Sequence, residues 1–384
     1  MDLTPIFHAP SVQEMARRRE RVQAEMARQG LDWYVASHLD NVYYLTNFAT
    51  FPHERPFIAL VPASGPIRFL VPGIDAPHVA EMSIGDHELV VYREYPAPAG
   101  QTWADEQMAV LKGARRVGVE SMGQIRARDA VPGETVVTDI VEEVRFIKSD
   151  YDVGRLAYAN MVASEAMADL LANAAPGRTL GQVREAGTAK MFNRLYADDK
   201  NIVPQALAFA SLFHPASHSH DPHNFGNLEM AMAEGGPHVS IMNAVMNGYG
   251  AEIERTFFLG HVPEEAKRKY EVMMEARRIS FEMTVPGNLM SDVDKAVRRY
   301  LDGEGMLENV LSRTGHGMGA TAHEGPFLAE GYDVVIEPRM CFTLEPGIYF
   351  PGLGGFRHSD TILTTEDGNV SLTYAPDSLE DMTL

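Results

Sequence analysis

The sequence predicts two domains: an α/β N-terminal domain over residues 1–150, and an α+β domain over 151–384 with internal pseudo-two-fold symmetry. Three observations carry this. The chain has 384 residues, long for one hydrophobic core and enough for two. In its first part, short apolar runs alternate with helical patterns. In its second part, a helix, a Pro-Gly stop and another helix occur twice, with Pro176 and Pro286 standing 110 residues apart.

The elements follow in order. Residues 11–29 read as a helix with Val12, Met15, Val22 and Met26 on one face, stopped by Gly30. Apolar strands follow at 33–36, 42–45 (VYYL), 57–62 (FIALVP), 67–72 (IRFLVP) and 116–120 (RVGVE), bounded by Pro and Gly. The charged RFIKSD at 145–150 leads into a long helix at 154–174, which stops at Ala175-Pro176-Gly177, and a second begins after Thr179. The later copy has a helix at 264–283, a stop at Val285-Pro286-Gly287 and a helix after Ser291. Between the copies, NGYGAEIERTFFLG at 247–260 reads as a turn into an alternating strand.

Composition narrows the partners. Apolar residues make up 45% and charged residues 22%, as in a soluble globular enzyme. Against 33 Lys and Arg stand 53 Asp and Glu, a net charge of −20, so the basic footprint that nucleic acid or an anionic membrane requires is missing. Cys341 is the single cysteine, which excludes an intrachain disulfide and a thiolate metal cluster; its apolar strand makes it a buried, inert thiol. The first residues lack a basic region followed by an apolar stretch, and no run of about 18 apolar residues occurs, so a cytoplasmic protein is expected. Of 14 histidines, nine follow residue 200 and four lie between His214 and His223, which raises the question of a metal.

Three stretches hold residues that a plain fold does not require: FHPASHSHDPHNF at 213–225, the 247–260 turn and strand, and a region running from RTGHGMGATAHEGP (313–326) through FTLEPGIYF (342–350) to GGFRHSDTIL (354–363). The GYxxxIxRTFxLG, GHGxG, HEGP, LEPGIYF and GGFRxxDTIL motifs, in this order, resemble the aminopeptidase P, prolidase and creatinase superfamily, the pita-bread enzymes. VYYLTNF, RPFIALV and the RFIKS junction are similar to that family's N-terminal domain and linker. The resemblance implies a creatinase/prolidase-like domain over 1–150 and a pita-bread catalytic domain over 151–384.

It also implies site residues. Peptidases of the superfamily hold two divalent metals with two Asp, one His and two Glu. Here those positions fall on Ile241, Glu252, His316, Glu345 and Ser359. An isoleucine has no lone pair, so a two-metal clamp is disfavoured, and Glu252, His316 and Glu345 remain for a single metal. Creatinase works without metal, and the site residues resemble it more closely. By that resemblance Glu254 and Glu345 grip a guanidinium, His223 moves the proton and His316 orients substrate or water. Arg55 then reaches the site of a homodimer partner to hold a carboxylate, and His53 stands where creatinase has an aromatic. Glu252 and His323 would contact the substrate. His358 is either a replacement functional residue or a satisfied strand-end histidine, and His214, His218 and His220 are loop residues or residues that support the site from behind, not catalysts.

Elementary chemistry is compatible with this. Facing carboxylates raise each other's pKa unless a cation lies between them, and a planar amidinium offers paired N–H groups to them. A neutral histidine in reach can carry a proton from water to the leaving nitrogen. The expectation is therefore a hydrolase that cleaves a non-peptide C–N bond in a small cationic guanidino or amidine substrate, without a cofactor. The alternatives are a metal-dependent Xaa-Pro dipeptidase or aminopeptidase P with a degenerate ligand set, and a binding protein without catalysis. The creatinase pattern is incomplete, because no basic residue occurs between His323 and Arg339.

Overall fold

The computed structural model describes residues 1–51, 54–199 and 202–384 and divides into two compact units. One unit comprises residues 8–145 and 203–206; the other comprises 1–7, 146–202 and 207–384. No helix among the described residues is long and apolar enough to cross a membrane.

The first unit opens on α1 (Val12–Gln29), capped by the Ser11 hydroxyl and ended at Gly30, whose φ of 65° suits a residue without Cβ. Met15, Val22 and Met26 are buried as the pattern predicts, whereas Val12, in the first turn, is 58% exposed. There follow β1 (Trp33–Ala36), α2 (Leu39–Thr46), β2 (Ile58–Pro62), β3 (Ile67–Pro72), α3 (Ala76–Met82), β4 (His87–Tyr92), α4 (Trp103–Val110), β5 (Arg116–Val119), α5 (Ile125–Asp129), β6 (Glu134–Val137) and α6 (Ile140–Phe146). The strands form one mixed sheet, β4-β3-β2-β1-β5-β6. Alternate residues enter two apolar clusters, Tyr34, Ala36 and Val61 in one and Val35, Leu60 and Val117 in the other, so both faces are covered.

One expected strand is a helix. VYYL lies within α2. A four-residue apolar run has no period that separates strand from helix. Here buried Glu120 decides, accepting hydrogen bonds from the Ser37 and His38 amides and from Asn41, each at 2.7 Å, so that its carboxylate anchors the start of α2.

The second unit contains α7 (Asp150–Ala172), α8 (Leu180–Asp198), β7 (Ala208–His214), β8 (Gly235–Val245), β9 (Gly250–Leu259), α9 (Glu264–Met283), α10 (Met290–Gly303), β10 (Gly315–Gly317), β11 (Glu324–Leu328), β12 (Cys341–Leu344), β13 (Gly347–Phe350), β14 (Gly354–Arg357), β15 (Ser359–Thr365) and β16 (Gly368–Ser371). Helix α7 starts earlier than the periodicity suggests, because Ser149 and Asp152 close a capping box; Thr179 and Gln182 do the same for α8. Helix α10 begins at Met290, before Ser291, without a side-chain cap. Cys341 is buried and its thiol is pushed up to about 12 by burial.

The duplication is visible in the backbone. Gly177 N bonds Met232 O and Leu180 N bonds Met230 O; Gly287 N bonds Ile336 O and Met290 N bonds Val334 O in the same way. The main sheet runs β11-β10-β12-β15-β9-β8-β7, so β15 of one half meets β9 of the other at its centre. Helix–helix–sheet units joined at this seam give the pita-bread architecture.

His238, buried in β8, presents Nε2 to Ala233 O at 2.9 Å and accepts the Ala216 amide at Nδ1. Burial lowers its pKa from 6.5 to about 4. The unfolded chain therefore binds more protons between those values, and stability falls as pH drops from about 6.5 to about 4. His238→Asn should make urea-midpoint loss between pH 7 and pH 5 shallower; an unchanged loss would refute this role.

Candidate active site

The site is built on the seam. Strand β9 is buried at all ten positions, not alternately exposed, because it lies mid-sheet with both faces covered. Alternation still sorts its side chains: Glu252 and Glu254 point to one face, Ile253 and Arg255 to the other. In register, Asn243 lies opposite Glu252, while Glu254 has Ile241 on one side and Ser359 on the other. His316 comes from β10 opposite Thr343 of β12, and Glu345 follows that strand.

Glu252 is held by neutral donors. Asn243 Nδ2 donates to Oε2 at 2.5 Å, and Thr343 and Ser359 donate to Oε1 at 3.2 and 3.3 Å. Thr343 and Ser359 are 2.5 Å apart. His316 Nδ1 lies 3.0 Å from Gly317 O, which accepts its proton, so Nε2 presents a lone pair. This Nε2 is buried without a hydrogen-bond partner, 3.4 Å from Glu345 Oε1 and 3.9 Å from Glu252 Oε1. The His323 ring stacks on His316 at 3.9 Å, with its Nε2 3.5 Å from Glu252. Glu254 forms a two-point ion pair with Arg357, whose Nη2 donates to Oε1 at 2.6 Å and whose Nε meets Oε2; Tyr349 OH accepts from its Nη1.

The protonation states follow from burial and neighbours. Burial pushes Glu252 up, but His323 and His316 outweigh it and hold the carboxylate at about 2. Burial raises Glu254 to about 7 although Arg357 pulls it back, and burial with nearby Glu252 carries Glu345 well above the carboxylate range. His316 is lowered to about 4 by burial, so it is neutral near pH 7 and able to donate a lone pair.

Glu252, Glu254, Glu345, His316 and His323 thus come together, as the motifs suggest. The other candidates lie elsewhere. His358 is fully buried on the opposite face, edge-on to Tyr270 of α9. The pleat separates it from Ser359, and it is a core residue, not a substrate contact. His223 is exposed and makes no hydrogen bond or ion pair to these carboxylates among the described residues. His214, read from sequence as a loop or supporting residue, is buried at the end of β7 against Phe225, its Nε2 without a hydrogen-bond partner and its pKa lowered to about 4 by burial, with Arg357 adding to the effect. Only the strand register signals that placement. His218 bonds Ser217, and Ser219 rather than a histidine ties the loop to Gly355. Arg55 lies in the other unit, paired with Glu94 at 2.7 Å and with Glu54. His53 lies outside the described residues.

Comparison with known proteins agrees with this architecture. Residues 154–366 match the metallopeptidase family M24 model, and residues 18–147 match the Creatinase/Prolidase N-terminal domain. The chain belongs to metallopeptidase family M24. It is 28% identical to the "Probable dipeptidase PepE" of Mycobacterium tuberculosis over 95% of this chain and 96% of that protein. It is 26% identical to the Xaa-Pro dipeptidase of Pyrococcus furiosus over 70% of this chain and 76% of the relative. The prolidase structure from Pyrococcus horikoshii superposes with a TM-score of 0.81 at 23% identity, covering 94% of this chain and 99% of that one. Dipeptidase PepE from Mycobacterium ulcerans does so with 0.81 at 24%, covering 98% and 100%.

These findings correct the creatinase-like expectation. The family is one of metallopeptidases and the two relatives reported above are named dipeptidases, so a cofactor-free hydrolase of a non-peptide C–N bond in a guanidino or amidine substrate is overturned. Residue-by-residue likeness misled at Glu254, one of several residues matched to creatinase, because it is already engaged by the chain's own guanidinium, Arg357.

The donor set shows how a metal fits. Ile241 offers no donor, and the Ser359 hydroxyl is taken up by Glu252 and Thr343, so the residues do not reproduce the five-ligand, two-metal set. Two groups that share Glu252 are compact enough to hold a divalent cation. Ligand atoms of Glu252, His316 and His323, and those of Glu252, Glu254 and Glu345, lie within 4.8 Å of one another. Carboxylates with a neutral imidazole suit divalent Mn, Co or Zn.

In the metal-free protein at pH 8, Arg357→Met strands the buried Glu254 carboxylate and should cost about 3 kcal/mol in urea unfolding. Adding Glu254→Gln should recover part of that loss. Equal losses in the single and double variants would show that the pair is not coupled.

Proposed function

We propose that the protein is a metal-dependent dipeptidase, with Xaa-Pro dipeptides as its first candidate substrates. One observation carries the reading: the buried, unpartnered His316 Nε2 faces Glu252 and Glu345, with its tautomer set by Gly317. Glu252, His316 and Glu345 would hold the cation, which supplies Lewis-acid polarisation of a peptide carbonyl. Asn243, Thr343 and Ser359 orient Glu252 beforehand. His323, whose side chain is 59% exposed, stands on the solvent side of His316 to donate to substrate oxygen. Arg357 keeps the neighbouring Glu254 charge compensated. The relatives named dipeptidase and Xaa-Pro dipeptidase support the substrate class.

The test is hydrolysis of a panel containing Ala-Pro, Leu-Pro, Ala-Ala and Leu-Leu. The chelator-stripped enzyme should be inactive, and Mn²⁺, Co²⁺ or Zn²⁺ should restore turnover. His316→Ala should lose at least about 100-fold in kcat/KM, as loss of a metal-holding group does. A panel left intact after reloading with all three metals would overturn the proposal.

A further inference from the structure

Glu254 occupies an unusual place. Its two cross-strand neighbours, Ile241 on β8 and Ser359 on β15, are the two positions at which the five-residue set has lost its carboxylates. Directly opposed residues of antiparallel strands share a face, with Cβ atoms about 5 Å apart. A carboxylate at 254 therefore enters the space between the two vacated positions. One of its oxygens lies within 4.8 Å of an oxygen of Glu252 and of Glu345.

Charge balance points the same way. Glu252 and Glu254 are buried and Glu345 is partly so, and of the three only Glu254 is paired with an arginine, Arg357, among the described residues. Each carboxylate oxygen has two lone pairs, so the Arg357 contacts leave Glu254 room for another partner. The acidic cluster does not stand alone, because the unpartnered, fully buried His316 Nε2 is aimed at it.

We infer that Glu254 is a metal-holding residue, a carboxylate relocated across the strand from position 241, and that the site takes one divalent cation. This rests on the metal-dependent reading above. The experiment is Co²⁺ titration of the stripped chain, followed by visible absorption, with bound metal counted by elemental analysis. Wild type should bind one Co²⁺ per chain. Glu254→Gln should bind at least about tenfold more weakly with an altered spectrum. Ile241→Asp combined with Glu254→Thr, which returns the carboxylate to the opposite strand and leaves one for Arg357, should regain affinity; this arm holds even if Glu254→Gln fails to fold. Unchanged affinity and spectrum in Glu254→Gln, or no gain in the double variant, would reduce Glu254 to a counter-ion of Arg357. Two Co²⁺ per wild-type chain would overturn the single-cation site. A wild-type chain that binds none would instead sink the metal-dependent reading beneath it.

Discussion

The register between β9 and β15 is the constraint on which the site depends. Among the described residues the two strands pair through Ser359 with Glu254 and Asp360 with Ile253, a short register at the seam between the halves. Side chains reinforce it. On the α9 side Arg255 binds Asp360 at 3.0 Å, and Arg277 from α9 closes on the same carboxylate. Thr256 accepts the Arg357 amide at 2.8 Å and donates to its carbonyl. A one-residue slip would send Glu252 and Glu254 to the helix-covered face and bring Arg255 into the pocket.

The same seam sorts the charges. On one face Asp360 meets two arginines, an arrangement that tolerates burial and leaves nothing to bind. On the other, the carboxylates outnumber the one guanidinium paired with them among the described residues, that of Arg357, and face a neutral imidazole. Buried ions are costly unless compensated, so the first face reads as structure and the second as a place for a cation. Asn243, Thr343 and Ser359 lower the cost of keeping Glu252 ionised without cancelling its charge.

Much of this was legible in the sequence, because it is written in local signals. Pro-Gly stops, helix period and ordered motifs indicated both domains, the duplicated unit and the convergence of Glu252, Glu254, His316, His323 and Glu345. Where reading failed, the information was not local. VYYL became helical because Glu120, far along the chain, anchors its first turn. His358 sits beside Ser359 in sequence, yet the pleat turns it to the opposite face. His214 and His223 share one histidine-rich stretch, but the strand ends at His214 and buries it while His223 stays in solvent.

The amino-acid sequence by itself determined the two-domain architecture, the acidic character and the set of polar side chains available to the site, since composition, period and motif order do not depend on distant contacts. Tertiary structure decided what those side chains are for. Ser359 and Arg357 reach Glu254 only because strands more than one hundred residues apart pair in a particular register, and the β8–β9 register sets Ile241 on its other side. That pairing changes Glu254 from an apparent clamp for a cationic substrate into a compensated carboxylate at the edge of a metal-sized cluster.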